Sequence, residues 1–369
     1  MKIALVGHHL PLAEGTATGR AFWALGEGLV AEGHDVLGWA WRPEPPAPGE
    51  SLPTWCEWRP VPPSSWVLTK ARALVRPRHE VGRTAWRVPD DFVGVADESV
   101  SWPAVAHAPH NVVTFHYLTA LDGPAVGRRP TPKDRQDLRF ERRAAARATA
   151  VLAYSERVAA AAAPERAVVV PIAQPLPTEA LAPVDEPVAA MLADWRWAPN
   201  QVALGRLLAE WPDVRARVPG ARLLLGGRYL EAARVGTIAG VELVGEVPAV
   251  ADLLARSAVL AFPCPPSSGP KVKVLDALCN GVPAVTTPAG VEGLDLGPML
   301  EGRVAGAWVT ETAGFRDALV AALSDPGRRA ELGGSGRAAV ARAHAPVPAA
   351  RARVAALRRL FPSEIAADG

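Results

Sequence analysis

Short apolar runs alternate with helical patterns along most of the chain. In the first half, six runs have the length and apolar character of buried strands: Lys2–Gly7, Asp35–Trp39, Asp91–Ala96, Asn111–Phe115, Ala150–Tyr154 and Val168–Ile172. Residues 15–33 and 135–148 have the spacing of amphipathic helices. Buried strands that alternate with helices are typical of a parallel sheet covered on both faces. The pattern therefore predicts an α/β fold.

The same alternation begins again after a proline-rich segment. Residues 175–187 predict a linker, and strand-like runs follow at 188–193, 221–226, 241–244, 258–262 and 283–287. We therefore expect two Rossmann-like domains facing across a cleft, residues 1–176 and 177–345. The alanine-rich residues 328–360 predict a helical end, and residues 42–66, rich in proline and tryptophan, predict a long loop or insertion. Ligands of open α/β sheets bind at the carboxyl ends of the strands.

The stretch from 263 to 287 is the most informative part of the chain. Gly269 and Pro270 predict the N-cap and the first position of a helix, and Asn280 with Gly281 predicts its end. The unpaired N–H groups at a helix N-terminus favour phosphate. The segment therefore predicts a binding site for an anion at the N-terminus of a helix.

Three charged side chains give this predicted helix its chemistry. Lys271 and Lys273 add positive charge at its start, and Asp276 lies on the same face, where it can accept hydrogen bonds from ribose hydroxyls. This arrangement predicts a site for a nucleoside diphosphate. The alternative is an ordinary strand–helix–strand unit whose two lysines form a solvated face.

Composition excludes several classes of protein. The 369 residues are 49% hydrophobic and 21% charged, with a formal net charge of +2, which argues against nucleic acid as a partner. Three cysteines, Cys56, Cys264 and Cys279, have no metal-ligand spacing and form no even set. No uncharged run of 18 residues predicts a transmembrane segment, and the first strand is too short for a signal peptide. These features predict a cytoplasmic protein.

Motif patterns exclude the common alternatives for a Rossmann-like enzyme. The turn after the first strand is not G-x-G-x-x-G, no P-loop motif occurs, and no tyrosine has a lysine four residues later. A nicotinamide-dependent enzyme or a nucleotide-sugar epimerase is therefore the weaker hypothesis.

The stretch Ser268-Gly-Pro-Lys-Val-Lys-Val-Leu-Asp276 resembles the donor-binding segment of retaining GT-B glycosyltransferases of family 4, in the branch that reads G-S-G-x-K-x-K-x-L-E-A. Further runs are similar to that family and follow in its order: Asp194–Asn200, Pro219–Gly227, Val241–Val247 and Thr287–Leu294, with Gly33–Val36 and Thr114–His116 in the first half. The resemblance covers most of the chain and is specific in residues 190–295.

This resemblance implies a GT-B fold in which residues 346–369 form a C-terminal helix that crosses back to the first domain. It implies transfer of a sugar from a nucleotide-diphosphate sugar, UDP- or GDP-sugar favoured, to a hydroxyl with retention of configuration. No cofactor or metal is expected to be obligatory. The acceptor class stays open between a small molecule such as a natural product, a cell-envelope glycan and a lipid-linked carrier.

The resemblance also assigns residues on the donor side. Those implied to hold the diphosphate are Lys271, Lys273, Gly269, Ser268 and Gly15. Asp276 would hold the ribose. The other donor-side residues are Arg228, Glu246 and Val247 near the nucleotide base, with Arg196 and Asn200 nearby.

In the first domain, the resemblance implies that His116, at the end of the Thr-Phe-His run, and Asp97, where many family members have a histidine, are the catalytic residues. His8, His9 and Glu98 are expected on the acceptor side. The alternative interpretations are a structural histidine and acidic residues that are simply solvated at a strand end.

Several positions depart from the family pattern. Ser268 replaces the first of the family's two glutamates, and Asp276 is one methylene shorter than the second. The usual Arg and Lys after the first strand of the second domain map near Asp194 and Pro199. These departures support a second hypothesis, a catalytically silent GT-B protein that binds a nucleotide sugar or supports a partner.

A basic stretch from Arg128 to Arg143 alternates with acidic residues. A solvated helix is the favoured interpretation, and peripheral contact with an anionic membrane is the alternative.

Overall fold

The computed structural model describes residues 1–42, 45–60, 87–125, 127 and 129–362. Contacts divide the chain into two compact units. The first consists of Met1–Gly123, Arg128–Pro175 and His344–Gly369, and the second of Pro124–Gly127 and Leu176–Ala343. Residues 43, 44 and 61–66 of the predicted loop, Arg128 of the basic stretch and residues 363–369 of the predicted terminal segment lie outside the described residues.

The first unit contains a parallel sheet of seven strands: β1 (Lys2–Gly7), β2 (Asp35–Arg42), β3 (Cys56–Pro60), β4 (Val93–Asp97), β5 (Asn111–Phe115), β6 (Ala150–Ala153) and β7 (Ala167–Val169). Their order is β3-β2-β1-β4-β5-β6-β7, and every pairing is parallel. The winding direction reverses between β1 and β4. This reversal is the topological switch point, where ligands of such sheets bind.

Local signals in the sequence explain where the helices of this unit begin. The helices are α1 (Ala17–Ala31), α2 (Trp102–Val105), α3 (Thr119–Ala125), α4 (Pro132–Arg147) and α5 (Glu156–Ala162). The Thr16 hydroxyl accepts a hydrogen bond from the Gly19 N–H at 3.2 Å and caps α1. Thr131 and Asp134 form a reciprocal capping box at α4.

The second unit repeats the same plan. Its strands are β8 (Val188–Leu192), β9 (Arg222–Gly226), β10 (Val241–Gly245), β11 (Val259–Phe262), β12 (Ala284–Thr286), β13 (Arg303–Val304) and β14 (Ala307–Val309). Their order is β10-β9-β8-β11-β12-β14-β13, with only the β13–β14 pair antiparallel. The switch point of this sheet lies between β8 and β11.

The helices of the second unit are α6 (Ala198–Arg217), α7 (Ala232–Val235), α8 (Val250–Leu254), α9 (Val272–Cys279), α10 (Phe315–Ser324) and α11 (Pro326–Ala343). The strands they connect are apolar and buried, as in β11, whose four residues are at most 1% exposed. Burial of each large aliphatic side chain contributes about 1.5–3 kcal/mol to folding. The apolar runs therefore predicted strands β8 to β12 of this unit, whereas the short β13 and β14 were not predicted.

The last helix, α12 (Pro346–Leu360), belongs to the first unit and packs on α1. A Cβ atom at Gly28 would lie 2.0 Å from the Pro346 carbonyl oxygen, so the close approach of the two helices requires glycine there. Arg351 also forms an ion pair with Glu32 at 2.7 Å. Residues 328–360 are helical as predicted, in two helices, because α11 ends at Ala343 and α12 begins at Pro346.

The prediction of a long loop or insertion over residues 42–66 missed one strand in the described part of that segment. Strand β3 lies within it and pairs with β2, with Cys56 opposite Gly38. Trp55 and Cys56 are both less than 10% exposed. Their burial at the sheet edge stabilises this strand.

Among the described helices, none combines the length and the apolar character needed to cross a bilayer. The three cysteines are buried and form no disulfide.

Candidate functional site

The loop after β11 and the start of α9 carry the two predicted lysines at the switch point of the second sheet. Helix α9 begins at Val272, with Lys271 as its N-cap. The prediction of Gly269 as N-cap and Pro270 as first helical residue is wrong by two positions. Gly269 has φ +73°, a left-handed conformation that glycine adopts without strain, and the chain turns there before the helix starts.

Lys271 is almost fully buried, with 4% of its surface exposed. Its Nζ donates hydrogen bonds to the carbonyl oxygens of Ser268 at 3.0 Å and Ser267 at 3.4 Å, and also to that of Gly269. Ser267 and Ser268 are buried as well. The ammonium group therefore holds the loop in shape and places a full positive charge beside it.

Lys273 is half-buried and lies two residues further along the chain. Its Nζ donates to Asn200 Oδ1 at 2.5 Å and lies 4.0 Å from the centroid of the Phe262 ring. Burial lowers the pKa of Lys273 to about 7, and the charge of Lys271 acts in the same direction. The nearby Asp276 carboxylate opposes this shift without cancelling it. An anion placed here would raise that pKa again.

Asn200 is fixed by a second contact, because its Nδ2 donates to the Asp194 carbonyl oxygen at 2.8 Å. Asp194 follows β8 and Asn200 lies in the first turn of α6, so the contact with Lys273 joins the segments that follow β8 and β11. Asp276 is 7% exposed, one turn inside α9. Lys271, Lys273, Asp276 and Asn200 are thus brought together at one edge of the sheet.

A carboxylate to which sequence analysis gave no role lies at the same loop. Glu292 Oε1 accepts a hydrogen bond from the Gly269 N–H at 3.0 Å. Glu292 belongs to the Thr287–Leu294 run that resembles the family, so its position was visible in the sequence, although its contact was not. An N–H group predicted to bind phosphate is therefore occupied by a side chain of the protein itself.

The other donor-side residues lie in ion pairs on the surface. Arg196 donates to both carboxylate oxygens of Asp194, at 3.1 and 2.7 Å, and its guanidinium lies 3.8 Å from the centroid of the Tyr229 ring. Arg228 Nε donates to Glu246 Oε1 at 2.6 Å. Val247, half-buried, packs against the apolar cluster around β8 and β9. Their assignment to the base remains a prediction.

In the first unit, His116 and Asp97 meet at the carboxyl ends of β5 and β4. His116 Nε2 lies 2.7 Å from Asp97 Oδ1, and both side chains are less than 10% exposed. Burial disfavours the charged imidazole, but the Asp97 carboxylate and then Glu98 outweigh it and raise the pKa of His116. The pair is therefore an imidazolium–carboxylate pair over a wider pH range than an isolated histidine would allow.

Two residues that sequence analysis did not predict support this pair. The Tyr154 ring lies edge-on to His116 with the centroids 4.7 Å apart. Arg353 of α12, 1% exposed, donates to the Tyr154 hydroxyl at 2.9 Å and to Thr114 Oγ1 at 2.9 Å. The sequence signal that could have identified Arg353 is its position on the same face of α12 as the buried Ala349, Ala350 and Leu357.

Glu98, His8 and His9 form a second group in the first unit, at the β1–β4 switch point. His8 Nδ1 lies 2.9 Å and His9 Nε2 lies 4.0 Å from Glu98 Oε2. Glu98 has φ +91°, a conformation that costs a non-glycine residue about 1–3 kcal/mol. Burial alone would raise the pKa of Glu98, but His8 lowers it to about 2. Burial and then the charge of His8 lower the pKa of His9 to about 4.

Gly15 and the basic helix α4 complete the predicted residues. The Gly15 carbonyl accepts from Arg20 at 3.0 Å in the turn before α1, in the first unit, whereas Lys271 is in the second. Its role at the diphosphate remains a prediction. On α4, Lys133 pairs with Asp137 at 2.8 Å on an exposed face. Membrane contact by this helix likewise remains a prediction.

Comparison with known proteins agrees with this architecture. Residues 186–325 match the family model described as glycosyl transferases group 1. No curated protein matches the chain. Sucrose-phosphate synthase from Thermosynechococcus elongatus aligns over 98% of this chain and 100% of its own, with a TM-score of 0.70 and 16% identity. HepE from Anabaena, solved with UDP and glucose, aligns over 97% and 99%, with a TM-score of 0.65 and 15% identity.

A glycosyltransferase from Rickettsia africae aligns over 98% of this chain and 99% of its own, with a TM-score of 0.59 and 10% identity. At these identities the likeness shows the fold, which is GT-B with two parallel-sheet Rossmann-like domains. The family match covers the second sheet, including Asp194–Asn200 and Ser268–Asp276. The branch with the G-S-G-x-K-x-K pattern remains a prediction.

Proposed function

We propose that the protein is a retaining glycosyltransferase that moves a hexose-like unit from a nucleotide-diphosphate sugar to a hydroxyl group. The observation that carries this proposal is the pair of lysines at the start of α9. Lys271 and Lys273 contact neutral carbonyl and amide oxygens at the switch point of a sheet that matches the glycosyl transferases group 1 model. Such a site favours a diphosphate.

The lysines would act when the sugar separates from the nucleoside diphosphate. Negative charge then grows on the leaving diphosphate, and preorganised positive groups stabilise it more than they stabilise the bound donor. Lys271, Lys273 and the N-terminus of α9 would supply this stabilisation without an obligatory metal or cofactor. Asp276 would hold the ribose.

The first unit would contribute the groups that orient the sugar and the acceptor. The His116–Asp97 pair has one fixed orientation, because Asp97 contacts Nε2 and Tyr154 packs on the ring. His8, His9 and Glu98 would contact the acceptor. The leaving diphosphate would take the proton of the acceptor hydroxyl on the same face, so no protein nucleophile is required.

Among donors, a UDP-sugar is the first to test and a GDP-sugar the second. HepE, which shares the fold, has been solved in complex with UDP-glucose. Our proposal places the reaction in the cytoplasm, with a small-molecule, glycan or lipid-linked acceptor.

A thermal-shift panel of UDP, GDP, ADP and dTDP, with and without magnesium, tests the donor site. Binding at 100-fold excess over Kd stabilises the folded chain by about 2.7 kcal/mol. We expect the nucleotide with one particular base to raise the midpoint temperature of unfolding, by the same amount with and without magnesium. Lys271→Ala should abolish the shift, and Lys133→Ala, which removes an exposed lysine of α4, should preserve it. No shift with any nucleotide would contradict the proposal.

The second candidate is a silent GT-B protein that binds a nucleotide sugar or supports a partner. Ser268 in place of the first family carboxylate, together with the engagement of Arg196 by Asp194, favours it. The nucleotide that binds should then be tested as its sugar conjugate. Release of free sugar or transfer to any acceptor would exclude the silent protein, and tight binding without either reaction would support it.

A further inference from the structure

Two imidazoles and one carboxylate meet where the strand order of the first sheet reverses. His8 and His9 follow β1 directly, and Glu98 follows β4 directly. One ligand atom from each, His8 Nδ1, His9 Nε2 and a Glu98 oxygen, all lie within 4.8 Å of one another. All three side chains are partly accessible, so solvent and ions can reach the group.

The contact between His8 and Glu98 is short, but it does not have the alignment of a regular hydrogen bond. His8 Nδ1 is a buried atom without a hydrogen-bond partner among the described residues, although Glu98 Oε2 lies only 2.9 Å away. The oxygen therefore lies off the axis of the ring nitrogen. A metal ion placed in line with the lone pair of His8 Nδ1 could contact both atoms. The bonds from a metal ion to two ligands enclose an angle, whereas a hydrogen bond needs donor, hydrogen and acceptor close to a straight line.

The position of His9 leads to the same conclusion. Its Nε2 lies 4.0 Å from Glu98 Oε2, which is too far for a hydrogen bond. Two bonds of about 2.0–2.2 Å to a shared zinc ion span this distance with only small side-chain adjustments. The other ring nitrogen, Nδ1, lies 3.4 Å from Thr16 Oγ1, and ligating histidines usually have such a contact on the second nitrogen.

Thr16 is itself fixed, because its hydroxyl caps α1 through the Gly19 N–H. The orientation of His9 is thus linked to the start of a helix, which is the kind of rigid support that metal ligands need. Imidazole nitrogen with carboxylate oxygen suits zinc and neighbouring first-row divalent ions better than magnesium or calcium, which prefer oxygen alone.

We propose that His8, His9 and Glu98 bind one divalent metal ion of the zinc class. Three protein ligands leave at least one coordination position open to water or to a hydroxyl oxygen, as in zinc sites that act on substrates. The inference does not depend on the proposed transferase activity, and it is separate from the lysines of the second unit, which need no metal.

The test uses the untagged full-length chain, stripped of metal with a chelator and titrated with zinc chloride by calorimetry. We expect one equivalent of zinc per chain. His8→Gln, His9→Gln and Glu98→Gln should each lower the affinity at least tenfold, whereas His34→Gln, at a partly exposed histidine of the same unit, should leave it unchanged. Thr16→Val should weaken binding by about 10–100-fold, and Thr16→Ser should restore it.

Cobalt provides a readout that does not depend on the folding of any variant. Cobalt bound by the stripped wild-type chain should show the intense visible absorption of a four- or five-coordinate ion and should be displaced by zinc. A weak spectrum typical of hydrated cobalt would overturn the proposal. Binding that persists unchanged in all three ligand variants, or absence of stoichiometric zinc binding by the wild type, would also overturn it.

Discussion

Both sheets bring polar side chains to the place where their strand order reverses, but the two places differ in charge. In the first unit, the carboxylates of Asp97 and Glu98 lie against histidine rings. In the second, Lys271 and Lys273 donate to backbone carbonyls and to the Asn200 amide. The same topology therefore presents an acid–imidazole group in one unit and a cationic group in the other.

This difference shows which part of the molecule decides the chemistry. The parallel sheet only brings the ends of β1 and β4, or of β8 and β11, side by side. The residue types in the loops after these strands then set the charge. Because the lysine groups donate to carbonyl and amide oxygens, their positive charge is held in one place beside the loop, which suits a diphosphate. Because imidazoles contact the carboxylates, the charge in the first unit varies with protonation, which suits hydroxyl groups or a metal ion.

The largest expected effect comes from breaking the cationic group. Lys271→Ala removes a positive charge and leaves the carbonyls of Ser267 and Ser268 without this donor. We expect turnover to fall about 100- to 1000-fold, or about 2.7–4 kcal/mol in transition-state stabilisation. Steady-state kinetics with the identified donor measures this. Equal activity in Lys271→Ala and the Lys133→Ala control would remove Lys271 from the site.

Disrupting the pair of Asp97 and His116 in the first unit should have the next largest effect, which is a loss of folding stability. The pKa of His116 is raised by Asp97, so the stabilisation from the pair is fully present below about pH 6.5, the unfolded value, and is lost as the pH rises through the folded pKa. Asp97→Asn should therefore reduce the free energy of unfolding by about 1.5–3 kcal/mol at pH 6 and by less at pH 9. Denaturant titrations at both pH values measure it. A loss that is independent of pH would show that His116 does not change its protonation between pH 6 and pH 9.

The protonation of Lys273 provides a further test of the cationic group in the second unit. Its pKa is near 7 in the free protein, so a bound diphosphate should raise it and binding at pH 8 should take up a proton. Nucleotide affinity should fall up to about tenfold per pH unit as the pH rises from 7 towards the pKa of the complex. Calorimetry in two buffers of different ionisation enthalpy measures the uptake. Lys273→Arg should abolish it, because arginine stays charged, and uptake that persisted in this variant would point to another group.

The smallest effect is expected at Glu292, whose carboxylate accepts a hydrogen bond from the Gly269 N–H in the loop before α9. Glu292→Gln keeps an acceptor for the Gly269 N–H but removes a negative charge, so the affinity for a nucleoside diphosphate should rise about two- to fivefold, or roughly 0.5–1 kcal/mol. Competition with a fluorescent nucleotide measures this. If affinity for the nucleotide sugar fell while that for the diphosphate did not change, Glu292 would contact the sugar instead.

Much of the fold was predictable because it follows from local patterns. Lys2–Gly7 and Asn111–Phe115 are apolar runs that became β1 and β5 with the predicted bounds. Strand β3 was not predicted, although Cys56–Pro60 alternates apolar and charged residues, because the proline-rich sequence around it favours a loop; its pairing with β2 defines it. The start of α9 was misplaced for a related reason: the sequence Gly269-Pro270 favours a cap, but the left-handed turn at Gly269 delays the helix to Val272.

The sequence by itself determined the α/β class, the repeat of that pattern in two halves and the placing of Lys271, Lys273 and Asp276 within one short segment. These properties depend on residues close together in the chain, where periodicity and helix geometry apply directly. Only the tertiary structure decided which side chains meet: Arg353 with Tyr154 beside His116, Glu98 with His8 and His9, and Lys273 with Asn200. These pairs lie far apart in sequence, and sheet order and helix packing, which no local pattern encodes, bring them into contact.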